Sequence, residues 1–259
     1  MNYYNDRFYL NQSNGSYNSA KVVLEKTLKM LPKIDSAVDF GCGIGTWLAA
    51  LQEIGVKEIK GYDGSWVDRK MLMIPTECFT EVDLNKEIFV GKKYDLAISV
   101  EVAEHLYPNS AELFIKSLVK SADVILFSAA IPFQGGTNHI NEQWPEYWNK
   151  IFNKNGYIAM DLLREQIWNE TTIEWWYRQN IMLFVKQKVV HMIKKVSPPR
   201  SLVCPELYLD KINDLNKADI NKLSLWKVYK IALKHMLKKI LGKEICDMIK
   251  KIKGKKNGT

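Results

Sequence analysis

The amino-acid sequence predicts an α/β fold: a parallel sheet with helices on both faces, carrying a basic helical tail. Three observations lead there. Short apolar runs alternate with amphipathic ones over the first 185 residues, as strands alternate with helices. A glycine-rich turn, Gly41-Cys42-Gly43-Ile44-Gly45, stands between an apolar run and an amphipathic one. The charge is also divided. From Lys186 onward there are 19 basic and 6 acidic residues, a net of +13, whereas residues 1–185 carry −5, so the overall +8 averages two unlike parts. We therefore divide the chain into a domain over 1–185 with an N-terminal arm, and a basic, mainly helical extension over 186–259.

The elements follow in order. Val22–Leu31 has helical periodicity and stops at Pro32. Ser36–Phe40 reads as a buried strand, and Thr46–Ile54 as a helix closed by Gly55. Glu58–Tyr62, Cys78–Val82 and Leu96–Val100 are strands leading into Asp63, Asp83 and Glu101. Ala111–Lys120 is a helix and Val124–Ser128 a strand, followed by a glycine-containing loop from Ile131 to Asn141. Glu142–Phe152 is a helix, with strands at Tyr157–Met160 and Ile181–Val185.

Composition excludes several classes. An apolar content of 47% argues against disorder. No run reaches the ~18 apolar residues of a membrane span, and Met1–Asn14 lacks a secretory pattern. Cys42, Cys78, Cys204 and Cys246 are too dispersed for structural zinc or a disulfide framework. A cytoplasmic protein with free thiols is expected.

The glycine turn carries the first chemistry. Glycines let a backbone turn tightly and approach a ligand, and the following helix offers free N–H groups. In Gly41-x-Gly43-x-Gly45 the third glycine comes one residue early for a dinucleotide fingerprint, and Asp39 stands where a diphosphate would be repelled. Both features favour a cationic ligand. Asp63 lies where a carboxylate accepts ribose hydroxyls, and Asp83 where one receives an adenine amine. Each acid alone is an ordinary turn residue; at successive strand ends they form a pattern.

Asp39-Phe-Gly-Cys-Gly-Ile-Gly45, Gly61-Tyr-Asp63, Val82-Asp-Leu84 and Tyr94-Asp-Leu-Ala-Ile-Ser-Val-Glu101 together resemble the class I S-adenosylmethionine-dependent methyltransferases, over about Val22 to Val185. The resemblance implies a Rossmann-like seven-stranded sheet. It places Asp39, Gly41, Gly43 and Gly45 around the methionine part of the cofactor, Asp63 at the ribose, and Asp83 with Leu84 at the adenine, with Glu101 a further cofactor-binding residue. Trp66 reads first as a core residue, and second as a cover for the adenine.

Glu101-Val-Ala-Glu104-His105 follows the fourth strand. On a helical turn, Glu101, Glu104 and His105 would share one side. Carboxylates with an imidazole suit a divalent cation such as Mg²⁺, and His139 on the later loop supplies a fourth ligand. A cation lowers a hydroxyl's pKa and a histidine removes its proton. Three readings stay open: a metal held by Glu101, Glu104, His105 and His139; a metal-free base at His105 or His139, with Glu101 a further catalytic candidate; or a structural run in which Glu101 and Glu104 cap a helix and His105 packs internally. The run is similar to one in small-RNA 2′-O-methyltransferases and in ubiquinone-pathway O-methyltransferases.

Gly135-Gly136 reads as a hinge, Trp144, Tyr147 and Trp148 as core, Trp175–Gln179 as packing, and Tyr17 as a candidate cofactor cover. Three segments, Gly15–Ala20, Asn138–Trp144 and Trp175–Gln179, also resemble bacterial methyltransferases of surface-glycan and secondary-metabolite systems. The implied activity is O-methylation of a sugar, a nucleotide-linked precursor or another small glycan precursor, an activated phosphoramidate included. An RNA 2′-O-methyltransferase and a catalytically inactive cofactor-binding scaffold are the rivals. In the tail, Trp226, Tyr229, Leu233, Met236, Leu237 and Ile240 share one helical face opposite lysines. Such a helix docks on the body or a second subunit, or lies on an anionic inner-membrane surface. Nucleic acid ranks last, since Arg200 is the tail's only arginine.

Overall fold

The computed structural model describes residues 6–192, 198–218, 229, 230 and 233, with side chains from residue 15. The elements are α1 (Asp6–Leu28), β1 (Ser36–Phe40), α2 (Thr46–Ile54), β2 (Glu58–Asp63), β3 (Phe79–Glu81), β4 (Leu96–Val100), α3 (Ala111–Ser121), β5 (Val124–Ser128), α4 (Pro145–Lys154), β6 (Tyr157–Met160), α5 (Leu163–Ile167), α6 (Trp175–Asn180), β7 (Met182–Lys186) and α7 (Pro205–Ala218). The seven strands form one sheet in the order β3-β2-β1-β4-β5-β7-β6. β7 runs antiparallel to both neighbours, so the sheet is mixed rather than wholly parallel as the sequence suggested.

The strands are apolar on both sides because both faces are covered. Ala37, Leu96, Ile98 and Leu126 pack toward α1, α2 and α5. Val38, Phe40, Ala97, Ile125 and Phe127 pack toward α3 and α4 on the other face. Between β1 and β4 the strand order reverses, and the loops leaving their carboxyl ends frame a crevice where such sheets bind ligands.

Several boundaries moved for identifiable reasons. α1 begins at Asp6, well before Val22. α4 begins at Pro145, whose ring suits the first turn of a helix, leaving Glu142 in the preceding loop. β3 ends at Glu81, so Asp83 lies in the turn beyond it. Gly55 closes α2 in the left-handed conformation, its N–H donating to the Leu51 and Gln52 carbonyls.

The chain divides into two compact units, Met1–Cys204 and Pro205–Thr259. In the first, the Arg164 guanidinium is wholly buried against Asp161. It also donates to the Gln179 carbonyl at 2.7 Å and the Arg200 carbonyl at 2.7 Å. Cys204 N–H donates to Gln179 Oε1 at 2.7 Å. The amphipathic helix expected from Leu223 lies almost wholly outside the described residues, as do Tyr3 and Tyr4. No described helix is long and apolar enough to cross a membrane.

Arg164→Ala removes the buried partner of Asp161, leaving it only Arg200 at 3.5 Å, and should cost about 3 kcal/mol of stability, read by urea unfolding.

Candidate active site

The carboxyl ends of β1 and β2 build the first half of the site. Asp39 and Asp63 are both buried there. Asp63 holds the glycine loop: Oδ2 accepts Gly43 N–H at 2.6 Å and Oδ1 accepts Gly64 N–H at 2.6 Å. Burial pushes its carboxyl up to about 6, with those two N–H groups pulling the other way. Burial, then the neighbouring Asp63, also raises Asp39 well above the ordinary range. Two carboxylates that disfavour each other's charge form a place that a cationic ligand relieves.

The loop has its shape because Gly41 sits at φ 87, where a Cβ would also collide with Val102. At Gly43 the space a Cβ would take is open, so the loop presents bare backbone there. Gly45, at φ 87, leads into α2. Trp66 is not core: it is 47% exposed and its ring lies against Gly64 beside Asp63. Leu84 is buried, whereas Asp83 is exposed and accepts Asn85 N–H at 3.0 Å. Tyr17 is taken up elsewhere, its hydroxyl donating to Glu53 near the far end of α2. A cavity of about 330 Å³ bounded by Lys33, Tyr94 and Asp123 lies at the opposite edge of the sheet and is separate from this crevice.

The loops after β4 and β5 build the second half. Atoms of Glu104, His105 and His139 lie within 4.8 Å of one another, in a group that could hold a metal ion. The His105 and His139 rings meet edge to face, 4.8 Å between centroids. Glu104 has 0% exposure, and neither of its carboxyl oxygens has a hydrogen-bond partner. His105 Nδ1 is likewise buried and unpartnered. Burial raises the Glu104 carboxyl well above the ordinary range, with Glu101 adding to it. Burial, then His139, lowers His105 to about 4. Orphaned buried donors and acceptors are expensive and rare. A divalent cation fits this set, since it takes a carboxylate oxygen and neutral imidazoles together.

Glu101 is not one of that group, although its carboxyl lies against that of Glu104. It has φ 55 and is followed by a separate short helical turn at Ala103–His105, so the expected shared helical face does not form. Its N–H is held by the Ser128 carbonyl at 3.2 Å and the Ser128 hydroxyl at 3.0 Å. Its carboxylate accepts Asn180 Nδ2 at 3.0 and 3.3 Å, and Gln134 Nε2 at 3.3 Å. Burial raises this carboxyl too, with Asn180 opposing. Gln134 Oε1 in turn accepts Gln179 Nε2 and Asn180 Nδ2, both at 3.0 Å. Sequence reasoning missed these amides because their partners lie 33 to 79 residues away.

The loop carrying His139 is fastened at both ends. Ile140 and Asn141 donate their N–H groups to the Glu104 carbonyl at 2.9 and 3.0 Å. Glu142 accepts Phe133 N–H, Gly135 N–H and a contact from His139 Nδ1, at 2.7, 2.7 and 3.0 Å. Glu142 was also missed, although His139-x-x-Glu142 is a local spacing that could have flagged it.

The profile of a family described as "Methyltransferase domain" matches residues 17–183. The chain belongs to that family. It is a class I S-adenosylmethionine-dependent methyltransferase. No curated protein matches it. Among solved structures, the sugar N-methyltransferase KedS8 of Streptoalloteichus sp. is similar at 13% identity, over 70% of this chain and 92% of its own, with a TM-score of 0.54. DesVI of Streptomyces venezuelae is similar at 11% identity, over 70% and 96%, with a TM-score of 0.52. Magnesium protoporphyrin IX methyltransferase of Synechocystis, with bound SAH, is similar at 20% identity, over 69% and 87%, with a TM-score of 0.50. At these identities the likeness is one of fold.

Because the raised Glu104 carboxyl resists ionising in the folded state, its charge opposes folding increasingly as pH rises. In chelator, Glu104→Gln should therefore raise the melting temperature of this methyltransferase at pH 8 by a few degrees, about 1–2 kcal/mol, and by less at pH 5, as scanning fluorimetry would read.

Proposed function

We propose that this methyltransferase methylates a hydroxyl oxygen of a small, carbohydrate-derived acceptor, a sugar or nucleotide-linked glycan precursor. We further propose that Glu104, His105 and His139 hold a divalent cation such as Mg²⁺ at the reacting oxygen. The observation that carries this reading is the buried Glu104 carboxylate with both oxygens unpartnered, beside an unpartnered His105 nitrogen and His139. An amine attacks through its own lone pair, whereas a hydroxyl must lose a proton, and a cation with imidazoles addresses that need. The carbohydrate scaffold is drawn from the fold's occurrence in a sugar N-methyltransferase. Around the cluster, Tyr107, Phe133, Ile140 and Trp144 expose apolar surface on its flanking segments, suited to a ring's apolar face.

The cofactor supplies an electrophilic methyl group. In this reading Asp39 and the Gly41–Gly45 backbone surround its methionine part, with Glu101, hydrogen-bonded by Asn180 and Gln134, nearby. Asp63 accepts the ribose hydroxyls on lone pairs left beside the Gly43 and Gly64 contacts. Asp83 and Leu84 border the adenine, and Trp66 flanks Asp63. With a cation bound, His105 and His139 would hold it against the acceptor oxygen; without one, a free histidine lone pair there takes the proton instead, and the loop over residues 131–142 keeps water away. A cation there would lower the oxygen's pKa without a strong base.

Two outcomes follow. Chelation should remove at least nine-tenths of turnover and added Mg²⁺ or Mn²⁺ restore it, while His139→Ala abolishes turnover and leaves cofactor affinity within about threefold; S-adenosylhomocysteine release against a panel of sugars and nucleotide-sugars is the readout. Activity indifferent to chelator selects the metal-free base, and full turnover in His139→Ala sinks the assignment. Separately, Asp63 must be ionised to accept two hydroxyls, and its carboxyl sits at about 6. Cofactor affinity should be flat above pH 7 and fall below pH 6, approaching tenfold per unit by calorimetry, and Asp63→Asn should bind weakly without that fall.

A further inference from the structure

We propose that Glu142 is the positioning residue of the acceptor site: it fixes His139 as the Nδ1–H tautomer and leaves Nε2 as the nitrogen offered to Glu104 and His105. This rests on the preceding reading of the cluster and adds a residue to it. His139 Nδ1 lies 3.0 Å from Glu142 Oε1, and a carboxylate only accepts, so the shared proton belongs to the imidazole. The other ring nitrogen is then the one with a free lone pair, which a metal or an acceptor proton requires.

The surrounding loop is built to make that contact. Glu142 Oε1 also accepts Gly135 N–H at 2.7 Å, and Oε2 accepts Phe133 N–H at 2.7 Å. Between these anchors the backbone takes four left-handed or near-left-handed conformations, at Phe133 (φ 67), Gly135 (φ 77), Gly136 (φ 152) and Asn138 (φ 61). Non-glycine residues held there are strained and persist only where contacts over-determine them. At Gly136 a Cβ would collide with His139 Nε2 and Cε1, so only a glycine there lets the ring keep this position. A merely structural carboxylate would need only the two backbone contacts. The third, to a ring stacked edge-on with His105, sets the direction of a functional group. Carboxylate partners of ligating histidines fix the tautomer in this way, and losing one weakens metal affinity 10–100-fold.

The test is long-range ¹H–¹⁵N correlation of the imidazoles in the metal-free full chain at pH 8, with His139 assigned by the His139→Ala spectrum. The wild-type chain should show His139 as the Nδ1–H tautomer, and an Nε2–H form or an even mixture overturns the proposal. Glu142→Ala should lose the Nδ1–H preference and bind Mn²⁺ 10–100-fold more weakly by calorimetry, with cofactor affinity kept within threefold as the check on folding. Glu142→Gln, which retains one loop acceptor, should fall between. An unchanged tautomer in Glu142→Ala overturns the proposal. If the wild-type chain binds no Mn²⁺, the metal reading fails, and the tautomer still decides the role of Glu142.

Discussion

A carboxylate buried without a partner is the constraint around which the active site is arranged. Glu104 sits just past β4 with no exposure and with neither oxygen hydrogen-bonded. Leaving it so costs stability, and nothing in the packing of β4 requires an acid there. Its backbone carbonyl is meanwhile the fastening point for Ile140 and Asn141, so the residue with the unpartnered carboxyl also fixes the histidine loop. Local cost of this kind gathers where a fold serves chemistry rather than its own stability.

The two acids of the Glu-x-x-Glu-His run do different work because their environments differ. Glu101 leaves the β4 end in a left-handed conformation, pinned to Ser128, and spends its oxygens on Asn180 and Gln134. Those amides continue through Gln179 to Cys204, and the Gln179 carbonyl accepts from buried Arg164. The acid is thus braced from α6 and the segment after β7. Glu104 has no such side-chain amides; its carboxyl is wholly buried beside that of Glu101.

Much of the frame was legible in the sequence. β1, α2, β4, β5 and β6 fell where apolar runs meet a glycine, an acid or a turn, because a strand buried on both faces must be apolar throughout. The start of α1 was not, since Asp6–Ser19 lacks apolar periodicity and includes Gly15. The direction of β7 was not, because an apolar run has the same pattern either way. Asp39, Asp63 and the glycines were legible as a set because one strand end and its loop place them together. Trp66 was misread because a lone tryptophan carries no signal of which way it faces. The amide clamp on Glu101 was invisible for another reason: Gln134, Gln179 and Asn180 meet it only through the order of the sheet.

The central claim is that the unpartnered atoms of Glu104 and His105, with His139 beside them, belong to one cation. Crystals grown with Mn²⁺ and S-adenosylhomocysteine, measured on the two sides of the manganese absorption edge, test it most directly. One strong anomalous peak bonded to Glu104, His105 and the Nε2 of His139 is expected, with Glu101 still on Asn180. An absent peak, or one centred on Glu101 or on surface acids, would contradict it.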